Sequence, residues 1–188
     1  MIEGTIRCLE ILPAGQVTAR AIAQESGANL ASITYHFGSK DILVTEAVIT
    51  GLDRWLEEVS SRMTDVEGAD VWTRFLAAAE AVESTRQIHA GLSSSFLAAT
   101  AHARHDETVR RLIVEGVRRT RRQVAQLIGF GDDAVGFDTG GLVLSMFYGL
   151  LFQALLDHDL AIEGDRLNQA MLRLVGTVAG AAAVAVEQ

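Results

Sequence analysis

The 188-residue chain has one cysteine (Cys8), one proline (Pro13) and one lysine (Lys40). A lone cysteine excludes a disulfide framework and a cysteine-based zinc site. With one proline, few β-branched clusters and abundant alanine and leucine, the composition favours helix over sheet. Apolar residues make up 49% and charged residues 21%, so the chain can bury a sizeable core as one large or two small domains, and disorder is excluded over most of it. Positive charge is scarce: 16 basic residues, 15 of them arginine, face 24 acidic ones, for a net charge of −8. The overall field repels nucleic acid, so any DNA contact must come from a local surface. A glycine-rich phosphate loop, a serine or cysteine nucleophile signature and suggestively paired carboxylates are all missing, so neither an enzyme nor a cofactor is expected.

Targeting signals are also lacking. Met1-Ile2-Glu3-Gly4 does not open a basic-then-apolar secretory pattern. The longest charge-free run, Thr139 to Leu156, has the minimum length of a membrane span. It contains Gly140, Gly141, Ser145, Gly149 and Gln153 and lies between Asp138 and Asp157 without a basic cluster. It reads as a helix covered by protein, with no membrane partner and a cytoplasmic location expected.

Turn residues divide the first part of the chain. Ile2, Ile6 and Leu9 lie on one face of a helix that ends at Pro13-Ala14-Gly15. Thr18, Asn29 and Ser39 are N-caps for helices over 19–26, 30–37 and from 40 onward, and Gly27 and Gly38 stop the first two. Two short helices joined by Gly27-Ala28-Asn29 form a helix-turn-helix pattern, with Ile22, Ala23, Ala28 and Ile33 as its small core. Longer helical patterns follow to about Met63, from about Asp70 to Gln87, from Ile88 to Ala103, from Asp106 to Ile128, from Val135 to His158 and from Asp165 to Val186. The expectation is an all-α protein of about nine helices. A three-helix head over residues 1–45 precedes a larger helical bundle over 46–188.

Residues 18–41 are similar to the DNA-binding segment of TetR-type transcriptional regulators. The ungapped matches are Thr18, Ile22, Ala23, Gly27, Tyr35, His36, Phe37, Ser39, Lys40 and Asp41. The resemblance implies a homodimeric regulator, such as a repressor released from a pseudo-palindromic operator by a small molecule. A helical adaptor that has lost DNA binding is the alternative.

In such a dimer the third helix of each subunit would enter successive major grooves about 34–36 Å apart. Ala31, Ser32, Thr34 and Tyr35 would face base edges. Thr18, Ser39 and Lys40 would anchor phosphates at helix N-termini, aided by Arg20, Tyr35 and His36. Three basic residues (Arg7, Arg20, Lys40) against four acidic ones give the head −1, which leaves −7 of the total −8 on the remainder. Few counterions would be released, so the salt dependence should be shallow.

In the bundle, bulky or polar residues within apolar helices are the candidate ligand contacts: Trp72, Phe75, His89, Ser93, Phe96, Phe147, Tyr148 and Gln153. Gln153 stands out, since a buried amide needs partners. A mainly apolar effector with one or two polar groups is expected. Leu142, Met146, Gly149, Phe152 and Leu156 on one helix, with Leu167, Met171, Leu174 and Val178 on the next, exceed what one monomer can cover and predict a four-helix dimer interface. His102, His105 and Asp106 read as a helix end and its cap, so no metal is expected. The run Arg118, Arg119, Arg121 and Arg122 reads as a solvated face.

Overall fold

A computed structural model describes residues 1–64, 66 and 68–186, the side chains of residues 14 and 179–186 excepted. The fold is all-α, with nine α-helices among the described residues: α1 (Ile2–Ile11), α2 (Ala19–Ser26), α3 (Leu30–Phe37), α4 (Lys40–Arg62), α5 (Val71–Thr85), α6 (Ala90–His102), α7 (Glu107–Ile128), α8 (Ala134–Leu156) and α9 (Gly164–Val186). Short 3-10 turns occupy Ala14–Gln16 and His158–Leu160.

Local chemistry sets most helix starts. The Thr18 hydroxyl accepts from Ala21 N at 3.1 Å, Asn29 Oδ1 from Ala31 N at 2.9 Å and the Ser39 hydroxyl from Ile42 N at 3.2 Å. Asp70, Asp106 and Asp133 cap α5, α7 and α8 in the same way. Each bond satisfies a backbone donor that the first helical turn leaves without a partner.

The largest core joins the head to the bundle. Ile6 and Leu9 of α1, Ile22 of α2, Ile33 of α3 and Leu43, Ala47 and Val48 of α4 pack with Leu92, Phe96 and Ala99 of α6 and Val109 and Ile113 of α7. The expected division after residue 45 therefore falls inside a continuous α4 whose buried face serves both sides. Missing side chains permit the closest approaches. A Cβ on Gly91 of α6 would lie 1.8 Å from the Leu9 carbonyl oxygen of α1, and one on Gly51 of α4 would lie 2.7 Å from Leu92. On α8, a Cβ on Gly140 would lie 2.5 Å from the Arg121 carbonyl oxygen of α7.

The α8–α9 region is less completely covered. Its buried side includes Gly136, Gly140, Gly141 and Leu144 of α8 and Leu167 of α9. Among the described residues α8 alone is long and apolar enough to cross a membrane, with a mean hydropathy of 1.6 over its most apolar window. Its glycine face packs on α7, whose residues Arg121 and Ala125 meet Gly140. Residues 172–178 of α9 are exposed.

Candidate nucleic-acid interface and bundle cavity

The turn between α2 and α3 is built around Gly27. Its φ of +62° is left-handed backbone, and its N–H bonds back to the Ala23 and Gln24 carbonyls. Ala28 N also donates to the Ala23 carbonyl at 3.0 Å. Ile22, Ala23 and Ile33 are buried as the sequence pattern requires, and Ala28 is half-buried.

With Ile33 turned inward, α3 turns Ala31, Thr34, Tyr35 and His36 outward. Tyr35 is 84% exposed and meets the His36 ring edge-on with centroids 4.9 Å apart. Ser32 is half-buried, at the rim of this surface. Thr18 and Arg20 are exposed beside it, and Ser39 and Lys40 are half-buried at the start of α4. The predicted contact residues thus lie on or beside one short helix and two capped helix N-termini.

The electrostatics of this surface are restrained. Arg7 pairs with Glu25 at 2.7 Å, tying α1 to α2, and Lys40 Nζ lies 2.9 Å from Asp41 Oδ1. Arg20 has no ion pair among the described residues. Within α3 the donors and acceptors are hydroxyls and an imidazole, groups that can meet several base edges.

A second candidate site lies within the bundle. A cavity of about 80 Å³ is walled by Leu52, Trp55 and Val59 of α4, Ala78 and Val82 of α5, Thr120 and Val124 of α7 and Phe147, Tyr148 and Leu151 of α8. Trp55 is fixed by its indole N–H donating to the buried Thr85 hydroxyl at 2.7 Å. Burial, with the nearby Asp53 carboxylate adding to it, raises the Tyr148 phenol to about 12.

Of the predicted ligand contacts, only Phe147 and Tyr148 face this cavity. Four others support its walls from behind. Phe75 stacks on Phe147 at 5.9 Å, Trp72 on Phe75 at 5.6 Å, Phe96 packs on Tyr148 at 5.0 Å and His89 on Trp55 at 4.9 Å. His89 Nε2 also meets Glu58 Oε2 at 2.9 Å, and that contact, with Arg62, holds the Glu58 carboxyl below its ordinary range.

Ser93 lies in a separate cleft and bonds back to the His89 carbonyl. The reading of Gln153 as a buried amide is corrected. The side chain is exposed, and its Nε2 donates to the Gly149 carbonyl at 3.3 Å, one turn earlier. Sequence reasoning missed Trp55, Leu52, Val59, Thr120, Val124 and Leu151. Leu52, Trp55 and Val59 recur at helical spacing along α4, a signal that shows burial without showing what is buried against it.

The predicted dimerisation residues divide in three. Leu142, Leu156, Leu174 and Val178 are exposed, at 73%, 83%, 57% and 59%. Met146, Gly149, Phe152 and Met171 are half-buried. Leu167 departs from the expectation of an outward face: its own chain covers it, leaving 7% exposed. Among the described residues no group of histidine, cysteine and carboxylate side chains is arranged to hold a metal ion.

Neither a protein-family model nor a curated protein sequence matches the chain. Two crystal structures share its fold. A proposed transcriptional regulator from Pseudomonas aeruginosa PAO1 superposes with a TM-score of 0.67 at 22% identity, over 96% of this chain and 89% of that one. A transcriptional regulator from Rhodococcus sp. Rha1 superposes with a TM-score of 0.60 at 16% identity, over 94% of this chain and 92% of the other. At these identities the likeness establishes the shared all-α fold.

Proposed function

We propose that the chain is a homodimeric, DNA-binding transcriptional regulator of the TetR type, with α3 as its recognition helix. The observation that carries this reading is the outward face of α3. Tyr35 stands 84% exposed among Ala31, Thr34 and His36 while Ile33 anchors the helix from below. A short helix that buries one residue and presents small, hydroxylated and aromatic side chains suits a major groove. The names of the two similar folds support the transcriptional-regulator part of this reading.

Residues 1–45 act as the head and 46–188 as the body, joined through α4. Thr18, Arg20, Ser39 and Lys40 contact phosphates; Ala31, Ser32, Thr34 and Tyr35 face bases; His36 supports them. The exposed apolar residues of α8 and α9 support a second copy as their cover, because leaving such side chains in water is costly. The cavity walled by Trp55, Phe147 and Tyr148 takes a mainly apolar effector, whose binding favours one spacing of the two heads and so releases DNA, as in a repressor. The protein works in the cytoplasm and catalyses no reaction.

Selection of bound duplexes from a random pool, followed by gel shift, tests the reading. A duplex should be retained, and Tyr35→Ala or Lys40→Ala should weaken it about tenfold, roughly 1.4 kcal/mol, with an unchanged thermal midpoint. Failure to retain any duplex, or variants that bind as the unaltered protein does, would favour a helical adaptor.

A further inference from the structure

We infer that the turn between α6 and α7 is a further contact to the DNA backbone, with Arg104 supplying its charge and His102 and His105 donating hydrogen bonds beside it. This inference rests on the proposed reading of Thr18 and Lys40 as phosphate contacts, and it extends the duplex contact from the head to the body.

The turn lies beside both of those phosphate anchors. The end of α6 packs against the 3-10 turn Ala14–Gln16, which leads into the Thr18 cap of α2. A cleft there is lined by Val17, Lys40 and Asp41 on one side and by Ser95, Ala99 and His102 of α6 on the other. Val17 immediately precedes Thr18, so the cleft separates the capped N-termini of α2 and α4. The His102 side chain is 61% exposed, and its Nδ1 lies 3.8 Å from Asp41 Oδ2. Lys40 Nζ meets the other oxygen of the same carboxylate at 2.9 Å. Arg104 follows two residues later, which keeps its Cα within about 7.6 Å of that of His102. Backbone bonds hold the turn in place: His105 N and Asp106 N both donate to the His102 carbonyl, at 2.9 and 3.2 Å.

Charge selects the partner. In the head, Arg7 is paired with Glu25 and Lys40 with Asp41, so little positive charge is left over for a duplex. The turn has the opposite balance. The Asp106 carboxylate is taken up in capping α7, where it accepts from Thr108 N and Val109 N. Glu107 is paired with Arg110 at 2.7 Å. Arg104 is exposed and has no ion pair among the described residues. His105 is exposed as well, and each imidazole offers an N–H to a phosphate oxygen. A duplex presents a phosphate about every 3.4 Å along each strand. A strand anchored at Thr18 and Lys40 therefore carries phosphates past the turn just outside the bases that α3 would read.

Anisotropy titrations of the full-length protein at several salt concentrations test the assignment, with two duplexes built on the site selected from the random pool. The short one ends at the outermost selected base pair, and the long one continues for about six base pairs, roughly 20 Å, at each end. Each phosphate neutralised steepens the fall of log affinity with log salt by about 0.9, so one contact from each of two subunits should steepen it by about 1.8 for the long duplex. A fourfold rise in salt should then cost the long duplex about tenfold more affinity than the short one. Arg104→Gln should remove that difference. Arg118→Gln changes another exposed arginine, eleven residues beyond Glu107 and so about 16 Å further along α7, and should leave the difference in place. Both variants should keep the parent's thermal midpoint.

Equal salt slopes for the two duplexes in the unaltered protein would overturn the inference. So would a difference that survives Arg104→Gln, or one that Arg118→Gln removes as fully. The two readings fail separately. Both duplexes bound with equal slopes leaves the regulator standing without this contact, whereas neither duplex bound sinks the regulator reading and the contact with it.

Discussion

Tyr35 on α3 and Leu156 at the end of α8 are almost equally bare, at 84% and 83% exposure, yet they pose different physical problems. The phenol ring of Tyr35 ends in a hydroxyl and stands among Thr34 and His36, so water satisfies that surface as it is. Leu156 is bare hydrocarbon, as are Leu142 on the same helix and Leu172, Leu174, Val175 and Val178 on α9, all more than half exposed. At roughly 25 cal/mol per Å² of apolar area removed from water, that surface gains from being covered. Exposure alone does not distinguish the two. The chemistry of what is exposed suits one surface to a polar partner and the other to an apolar one.

The largest expected effect breaks the apolar side of this contrast. Leu142→Glu with Leu174→Glu places carboxylates where the proposed second copy would cover them, and desolvating a charge costs several kcal/mol. Sedimentation equilibrium should show dimer affinity falling more than about a hundredfold. Helix content should be retained, because neither side chain lies in the monomer core. A dimer of unchanged affinity would mean that another surface joins the copies or that α8 and α9 face something else.

The next effect concerns how head and bundle are joined. Gly91→Ala would place a methyl group 1.8 Å from the Leu9 carbonyl oxygen, so α6 and α1 must separate. A loss of about 3 kcal/mol is expected in denaturant unfolding, at the upper end of ordinary overpacking. A variant as stable as the parent would show that this contact is looser than the packing indicates.

Tyr148, the buried counterpart of Tyr35, gives a smaller and pH-dependent effect. Its phenol is raised to about 12 because burial disfavours the phenolate, with Asp53 nearby. In the unfolded chain the group ionises near pH 10, so its contribution is complete below that pH and is lost as pH rises through about 12. On the order of 2 kcal/mol should disappear across that window. Tyr148→Phe should remove this alkaline loss, whereas Tyr35→Phe should leave it in place. Unfolding free energies measured from pH 9 upward decide between these outcomes.

The same contrast explains what was legible in the sequence. The caps Thr18, Asn29 and Ser39 could be read directly because each bond closes within three residues. The exposed face of α3 followed once Ile33 was assigned inward. Trp55 as a cavity wall, Gly91 against Leu9 and Leu167 under its own chain depend on which neighbour each helix face meets, which periodicity does not specify. Gln153 shows this limit most plainly. In a run apolar on every side, no pattern marks the inner face, and the amide is instead exposed, with the Gly149 carbonyl one turn earlier as its partner. The exposed face of α3, proposed for DNA contact, was thus largely readable as a surface from local signals, whereas the cavity lining was readable only in Phe147 and Tyr148.

The smallest expected effect tests that boundary with a second glycine. Gly27 has a left-handed φ of +62°, but a Cβ there would meet nothing within 4 Å. Alanine would therefore cost only backbone strain, about 1 kcal/mol, and asparagine less, because its side chain tolerates this conformation better. Gly91 is the opposite case, a helical position whose penalty is entirely collision. Equilibrium denaturation of Gly27→Ala, Gly27→Asn and Gly91→Ala should rank them with Gly91→Ala most damaging and Gly27→Asn least. If Gly27→Ala proved as damaging as Gly91→Ala, the turn would have to be held by packing as well as by its own backbone, and the independence of the local signals from the rest of the fold would fail with it.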